Sequence, residues 1–262
     1  LGAACDTKRD EITLMVSTGR ANHRIFLLRG KSGGRHWSKP VEVTDNVKEA
    51  GWNVEFMAEG TVLQRYKDKP GRILIPMVVR SESGSSAYLL MSDSGGRNWK
   101  RVGPLRTEMD GQVDLMEDEK GILWASSGFP KEPAAHGHRM LQSSEDGGET
   151  WSEPVESTLP DSGVRGSLVS ATGPGRKPVW YYASSIVHRY PDAGWQRRYL
   201  ILYGSRDRGQ TWESLGKVHY GASTYPVVIP NGPDRCLVGF KRDAWRREAS
   251  EPWTVQMDGL WK

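Results

Sequence analysis

The sequence has 262 residues and a net charge of +4. Its 30 Gly and 15 Pro are too few for a low-complexity chain, but enough to punctuate many turns. No apolar run approaches the roughly 18–20 residues of a membrane-spanning helix. The small, scattered basic excess argues against a nucleic-acid partner. Cys5 and Cys236 cannot form a disulfide framework, and we expect both to be buried free thiols.

Tryptophan is unusually frequent, with 11 Trp against 4 Phe, and an internal repeat accounts for part of this excess. Residues 92–99, 144–151 and 205–212 superpose on a pattern S-x-D-x-G-x-T-W, and residues 30–37 are a weaker copy. We call these four segments the boxes. Gly permits the positive φ of a tight turn, while Ser, Thr and Asp side chains bond to turn N–H groups. Each box therefore predicts a turn between two strands, with its Trp packed as a buried plate.

Short strand-like runs recur in the same order around the boxes, and a fifth unit follows without a box. In chain order the predicted strands are residues 1–5, 12–17, 25–28 and 38–43; 60–63, 72–79 and 87–91; 112–116, 122–126, 139–142 and 152–155; 167–170, 178–183 and 199–203; and 226–229, 236–241 and 253–256. No helix-period segment exceeds two turns. This pattern predicts an all-β chain, a β-propeller of four-stranded antiparallel blades with five repeats visible.

The boxes resemble the Asp-box, or bacterial neuraminidase repeat, of the sialidase superfamily. Five further stretches are similar to that family in the family's order: residues 37–48, residues 70–76, Asp110-Gly-Gln-Val, Arg165-Gly-Ser-Leu and Gly221-Ala-Ser-Thr-Tyr225. The resemblance runs along nearly the whole chain. It implies one sialidase-like propeller domain over residues 1–262, which would be six-bladed if a blade is missing.

Members of this family hydrolyse α-linked sialic acid with retention. Their nucleophile is a tyrosine, because the carboxylate of the sugar would repel an anionic one. A Glu takes the Tyr proton, an Asp acts as acid and base, and three Arg hold the substrate carboxylate. The resemblance places Tyr225 at the nucleophile position, Asp110 at the position of its Glu partner and Arg197 at that of the third Arg. The alternatives without a catalytic role are a packed tyrosine for Tyr225, a turn aspartate for Asp110 and a solvated arginine for Arg197.

Other family positions have no counterpart. The second Arg is expected at residues 125–127, which read Ala-Ser-Ser. The first Arg and the acid/base Asp belong to the family's first blade, whereas residues 1–17 resemble the second. An upstream segment or a partner chain would then have to complete the propeller.

Three interpretations of function remain open at this stage. The first is a divergent glycosidase acting on sialic acid or a related acidic sugar, and the second is a propeller that only binds glycan or protein. A lyase or glycosidase with another substrate is a third alternative. No cofactor or metal is expected, since His136 and His138 have no carboxylate or cysteine in register. The basic stretch 241–247 either attracts an anionic glycan or is a solvated loop.

Overall fold

The computed structural model describes residues 2–6, 8–18, 24–56, 61–64, 70–106, 113–128, 137–161, 165–190, 194–242 and 251–260. These residues are mostly strand, with one helical turn, α1 (Thr44–Val47). No helix in this part of the chain is long and apolar enough to cross a bilayer.

Twenty strands lie within the described residues. They are β1 (Gly2–Asp6), β2 (Glu11–Thr18), β3 (Arg24–Lys31), β4 (His36–Trp37), β5 (Val41–Glu42), β6 (Asn53–Phe56), β7 (Val62–Leu63), β8 (Ile73–Ser81), β9 (Gly84–Ser92), β10 (Lys100–Leu105), β11 (Val113–Glu117), β12 (Leu123–Ser127), β13 (Gly137–Ser144), β14 (Val155–Asp161), β15 (Gly166–Gly173), β16 (Arg176–Tyr190), β17 (Gly194–Ser205), β18 (Glu213–Pro230), β19 (Arg235–Arg242) and β20 (Glu251–Asp258).

These strands form four sheets whose strand order follows the chain. The first contains β1-β2-β3-β4 with β5 also on β3, and the second β10-β9-β8-β6 with β7 also on β8. The third is β11-β12-β13-β14 and the fourth runs from β15 to β20. Successive antiparallel meanders of about four strands are the blades of a β-propeller. The predicted all-β propeller is therefore confirmed.

The chain divides into two compact units, Leu1–Ala125 with Gln142–Glu153, and Ser126–Leu141 with Pro154–Lys262. Each unit has its own apolar core. Met15, Ile75 and Met77 are fully buried in the first unit, as are Leu200 and Val238 in the second. Whether the whole chain is a single domain stays a prediction.

All four boxes form the predicted turn between the third and fourth strands of a meander. In each of them the indole N–H of the Trp donates to a glycine carbonyl three residues earlier; the pairs are Trp37 to Gly34 (2.7 Å), Trp99 to Gly96 (3.1 Å), Trp151 to Gly148 (3.2 Å) and Trp212 to Gly209 (3.1 Å). The prediction of buried plates is wrong. Trp37 is 44% exposed and the other three are half-buried, although Trp99 and Trp151 do pack against buried apolar clusters.

Several other expectations need correction. The strand predicted at residues 152–155 begins only at Val155, because Ser152 instead closes the turn with Ser143: its N–H donates to the Ser143 carbonyl, and its hydroxyl accepts from the Ser143 N–H. Strand β6 was not predicted, and it pairs with β8 beside β7. Cys236 is buried as expected, but Cys5 is exposed because odd positions of β1 face outward.

We expect Gly148→Ala to destabilise the chain more than Gly33→Ala. Both glycines have positive φ, +91° and +62°, so each alanine costs about 1 kcal/mol in backbone strain. A Cβ on Gly148 would also lie 2.8 Å from Cδ2 of the fully buried Leu74, whereas one on Gly33 meets nothing. Overpacking adds about 1–3 kcal/mol. Urea unfolding followed by tryptophan fluorescence measures the free energy of unfolding of both variants. Equal losses of stability in the two variants would contradict a steric clash between the alanine Cβ and Leu74.

The Asp146 carboxylate makes the box at residues 144–151 sensitive to pH. Partial burial raises its pKa, but hydrogen bonds from Thr150, Ser144 and Glu149 outweigh burial and lower the pKa to about 2. In the unfolded chain the pKa is about 3.9. The stabilisation is therefore complete above about pH 4 and is lost as the pH falls towards the folded value.

Comparison with the neutral, nearly isosteric variant Asp146→Asn tests this. The carboxylate is exposed, so solvent screens its interactions. We therefore expect the free energy of unfolding of the wild type to exceed that of the variant by only about 1 kcal/mol near pH 6. The gap should shrink towards pH 2 in urea unfolding series. A gap independent of pH would show that the charge contributes nothing.

Candidate active site

Strand β18 is unusually long because it pairs with two different strands along its length. Its first part pairs with β17, as in Leu202 opposite Gly216, and its second part pairs with β19, as in Val228 opposite Val238. The sequence predicted a strand only at residues 226–229, after the box. No turn separates the two parts, so the family's nucleophile segment is continuous with the outer strand of the preceding meander.

Tyr225 lies where the β18–β19 ladder is irregular. The register shifts between Thr224 and Val227, and Tyr225 has φ +52° directly before Pro226. A bulky residue at positive φ costs roughly 1–3 kcal/mol and persists only where its surroundings fix it. The side chain is 41% exposed. Val227 and Ile229 are exposed at alternate positions after it, so Tyr225 lies on the outward face of this part of β18, at a strained backbone position.

Buried hydroxyl groups fix the backbone on both sides of Tyr225. The Ser185 hydroxyl lies 2.9 Å from both the carbonyl and the hydroxyl of Ser223, and the Val228 N–H donates to the Ser167 hydroxyl at 3.0 Å. These bonds join β18 to β16 and β15 at buried positions. The adjacent Thr224 hydroxyl, 6% exposed, has no hydrogen-bond partner among the described residues.

Two cations converge on the Tyr225 ring from different elements. The Arg165 guanidinium carbon lies 5.3 Å from the ring centroid, and the Lys241 Nζ lies 5.8 Å from it. Arg165 directly precedes β15, and Lys241 is opposite Thr224 in the β18–β19 register. Both contacts are within the range of cation–π interactions. An exposed phenol with two positive charges near its ring is suited to an anionic ligand.

A third cation, Arg139, is buried elsewhere in the same unit. It is 2% exposed, its Nε donates to the Ser126 hydroxyl at 3.0 Å, and one terminal nitrogen donates to the Ser126 carbonyl at 3.1 Å. The guanidinium also lies 5.3 Å from the Tyr182 ring centroid. Ser126 is within the stretch where the family resemblance expects an arginine. A positive charge therefore reaches this stretch from β13 rather than from β12.

The structure describes the three predicted site residues unequally. Tyr225 is described in full, whereas Arg197 is placed only by its backbone, in β17 opposite Val187. Asp110 lies outside the described residues, and so do His136 and the basic residues from Asp243 onward. Within the described part of the chain, no group of three or more His, Cys, Asp and Glu side chains could hold a metal ion.

Sequence reasoning assigned no role to Arg165 or Arg139. Arg165 stands in the Arg165-Gly-Ser-Leu stretch that carried the resemblance, and Lys241 stood in a basic cluster with two open interpretations. Their approach to Tyr225 depends on strand register and on the contact of β15 with β18, which no local pattern encodes. The one sequence signal that could have pointed to Arg165 was its position in a stretch that resembles the family.

The blades, the boxes and the exposed tyrosine of β18 define a sialidase-type β-propeller. A profile for the family described as BNR repeat-like domain matches residues 5–257, and the chain belongs to that family. A sialidase of Bacteroides fragilis (strain YCH46) is 29% identical over 196 residues, which are 73% of this chain and 34% of that protein.

Solved sialidase structures share the fold. The Hadza microbial sialidase Hz136 superposes with a TM-score of 0.74 at 20% identity, covering 98% of this chain and 52% of its own. The leech intramolecular trans-sialidase, solved with 2,7-anhydro-Neu5Ac, gives a TM-score of 0.67 at 18% identity, covering 90% and 36%. The chain thus spans about a third to a half of the length of these relatives.

Proposed function

We propose that this chain carries the active centre of a retaining exo-α-sialidase-like glycosidase, with Tyr225 as nucleophile. The substrate would be a glycan ending in α-linked sialic acid or a related acidic sugar. The observation that carries the proposal is the setting of Tyr225: accessible, held at strained φ, and flanked by two cations. The resemblance of residues 221–225 to the family's nucleophile segment supports the same assignment.

The proposed chemistry follows from the charge of the substrate. A sialic acid carries a carboxylate beside the reacting carbon, so a neutral phenol approaches it without the repulsion that Asp or Glu would meet. Attack by the Tyr225 oxygen forms a covalent glycosyl-enzyme and expels the aglycon, and water then releases the sugar with retention. Cations near Tyr225 favour binding of the carboxylate in the orientation for this attack.

Two further roles rest on the sequence resemblance. Asp110 is proposed to take the proton of the Tyr225 hydroxyl as it attacks, because a phenol is a weak nucleophile until deprotonated. Arg197 is proposed to bind the substrate carboxylate. General acid catalysis typically contributes about 10²–10⁴-fold, so the group that protonates the leaving aglycon sets much of the rate.

Hydrolysis of a fluorogenic α-sialoside tests the proposal, with Tyr225→Phe compared against Tyr220→Phe. Both tyrosines are exposed on β18, at 41% and 67%, but only Tyr225 is at the family's nucleophile position. We expect Tyr225→Phe to lower kcat by roughly 100-fold or more, because the nucleophilic oxygen is removed. Tyr220→Phe should retain wild-type turnover, and proton NMR should show the α-anomer of the sugar released first.

Two results would contradict the enzymatic proposal. If the wild-type chain binds an α-sialoside without releasing sugar, the chain is a glycan-binding propeller. If Tyr225→Phe hydrolyses the sialoside as fast as Tyr220→Phe, then Tyr225 is a packed tyrosine and the nucleophile lies elsewhere.

A further inference from the structure

One lysine on the first part of β18 lies against two tyrosine rings. The Lys217 Nζ is 5.4 Å from the ring centroid of Tyr199 and 5.4 Å from that of Tyr220. Because both distances start from the same atom, the two centroids cannot be more than twice that distance apart. Both contacts are within the range of cation–π interactions. We call Tyr199, Lys217 and Tyr220 the tyrosine cluster.

The tyrosine cluster is open to solvent. Tyr220 is 67% exposed, so most of its side chain stays accessible although Lys217 lies over the ring. Lys217 is exposed too, and within the described residues its ammonium makes no ion pair. An ammonium has three N–H donors. The cluster thus offers an aromatic ring and hydrogen-bond donors at one place on the surface.

Irregular strand pairing fixes the backbone beside the tyrosine cluster. The β17–β18 register shifts between Arg198 and Leu200, and Tyr199 between them has φ +55°. A tyrosine at positive φ is strained, and such strain concentrates at functional sites. Within the described residues, the part of β18 before Ser223 pairs with β17 alone. The cluster therefore lies on the outer strand of its meander, where a ligand can approach.

A neutral pyranose sugar matches the chemistry of the tyrosine cluster. The face of a tyrosine ring is negative, and one face of a galactose ring carries mainly C–H groups, whose hydrogens are weakly positive. The ammonium of Lys217 can donate to hydroxyl oxygens at the edge of that face. A protein partner fits less well, because the exposed side chains of Glu213, Ser214 and Lys217 are polar, whereas the centre of a protein interface is apolar.

We propose that Tyr220 and Lys217, supported by Tyr199, bind a neutral hexose of a glycan. The sugar stacks on the Tyr220 ring, and its hydroxyl groups accept hydrogen bonds from Lys217. This site shares no residue with the centre proposed at Tyr225, so it does not depend on the proposed function. It holds the chain on a glycan without taking part in bond cleavage.

The experiment is an NMR titration with methyl β-D-galactopyranoside, compared with sorbitol. Sorbitol has the hydroxyl groups of a hexose but no ring, so it cannot stack. We expect the galactoside to shift the amide signals around Tyr220 and sorbitol to leave them unchanged. Tyr220→Ala should weaken binding of the galactoside by about tenfold or more, because the stacking surface is lost. Lys217→Met should weaken it by about threefold or more, because the donors are lost while the apolar stem stays.

Two variants serve as matched controls. Tyr220→Phe keeps the aromatic ring and should bind the galactoside as the wild type does. Ile229→Ala removes another exposed apolar side chain of the same strand, 54% exposed, and should also leave binding unchanged. Thermal unfolding of every variant separates a lost contact from a lost fold.

Each outcome decides for or against the hexose site. Equal binding of galactoside and sorbitol overturns it, as does equal binding of the galactoside by the wild type and Tyr220→Ala. Tighter binding of the methyl glycoside of galacturonic acid also overturns it, since Lys217 would then recognise a charge. Hydrolysis of a fluorogenic α-sialoside without galactoside binding overturns the hexose site alone. Galactoside binding at Tyr220 without hydrolysis overturns the enzymatic function alone.

Discussion

The arrangement at Tyr225 depends on a single strand that belongs to two meanders. Because the 18 residues of β18 continue from the partner of β17 to the partner of β19, the backbone cannot relax at the junction by opening a loop. The β18–β19 register shifts between Thr224 and Val227, where Tyr225 takes a positive φ, and the β17–β18 register shifts at three further places. Buried bonds on both sides prevent the strain from spreading. Tyr225 itself is exposed together with Val227 and Ile229, on the outward face of this part of β18.

The cations follow from the same constraint. A register shift in β18 moves the positions opposite it, so Lys241 comes beside Tyr225 through the pairing of its neighbour Thr224. Arg165 arrives through β15, which reaches β18 by the Ser167 hydroxyl. Lys241 lies within β19, whereas Arg165 lies just before the first residue of β15. A charge supplied by strand ends on a hydrogen-bonded scaffold is more precisely positioned than one on a flexible connection.

The features that could be predicted from the sequence are those that depend on local turn chemistry. The boxes repeat the same Gly and Ser or Asp positions, so their turns and the strands around them were predictable without knowledge of distant residues. The continuity of β18, the extra strand β6 and the approach of Arg165 to Tyr225 depend on pairing between segments far apart in the chain. Burial of the box tryptophans was overestimated, because each indole also donates to a carbonyl of its own turn and stays partly exposed at the edge of the core, as Trp99 and Trp151 do.

The carboxylates of the boxes and the residues around Tyr225 have separate tasks. Despite partial burial, which raises their pKa, Asp146 and Asp207 accept enough turn hydrogen bonds that the pKa of each is lowered. A general acid needs a pKa near the working pH, so neither can protonate a leaving group at neutral pH. Asp146 and Asp207 therefore stabilise the turns of their boxes and are unsuited to the role of a general acid.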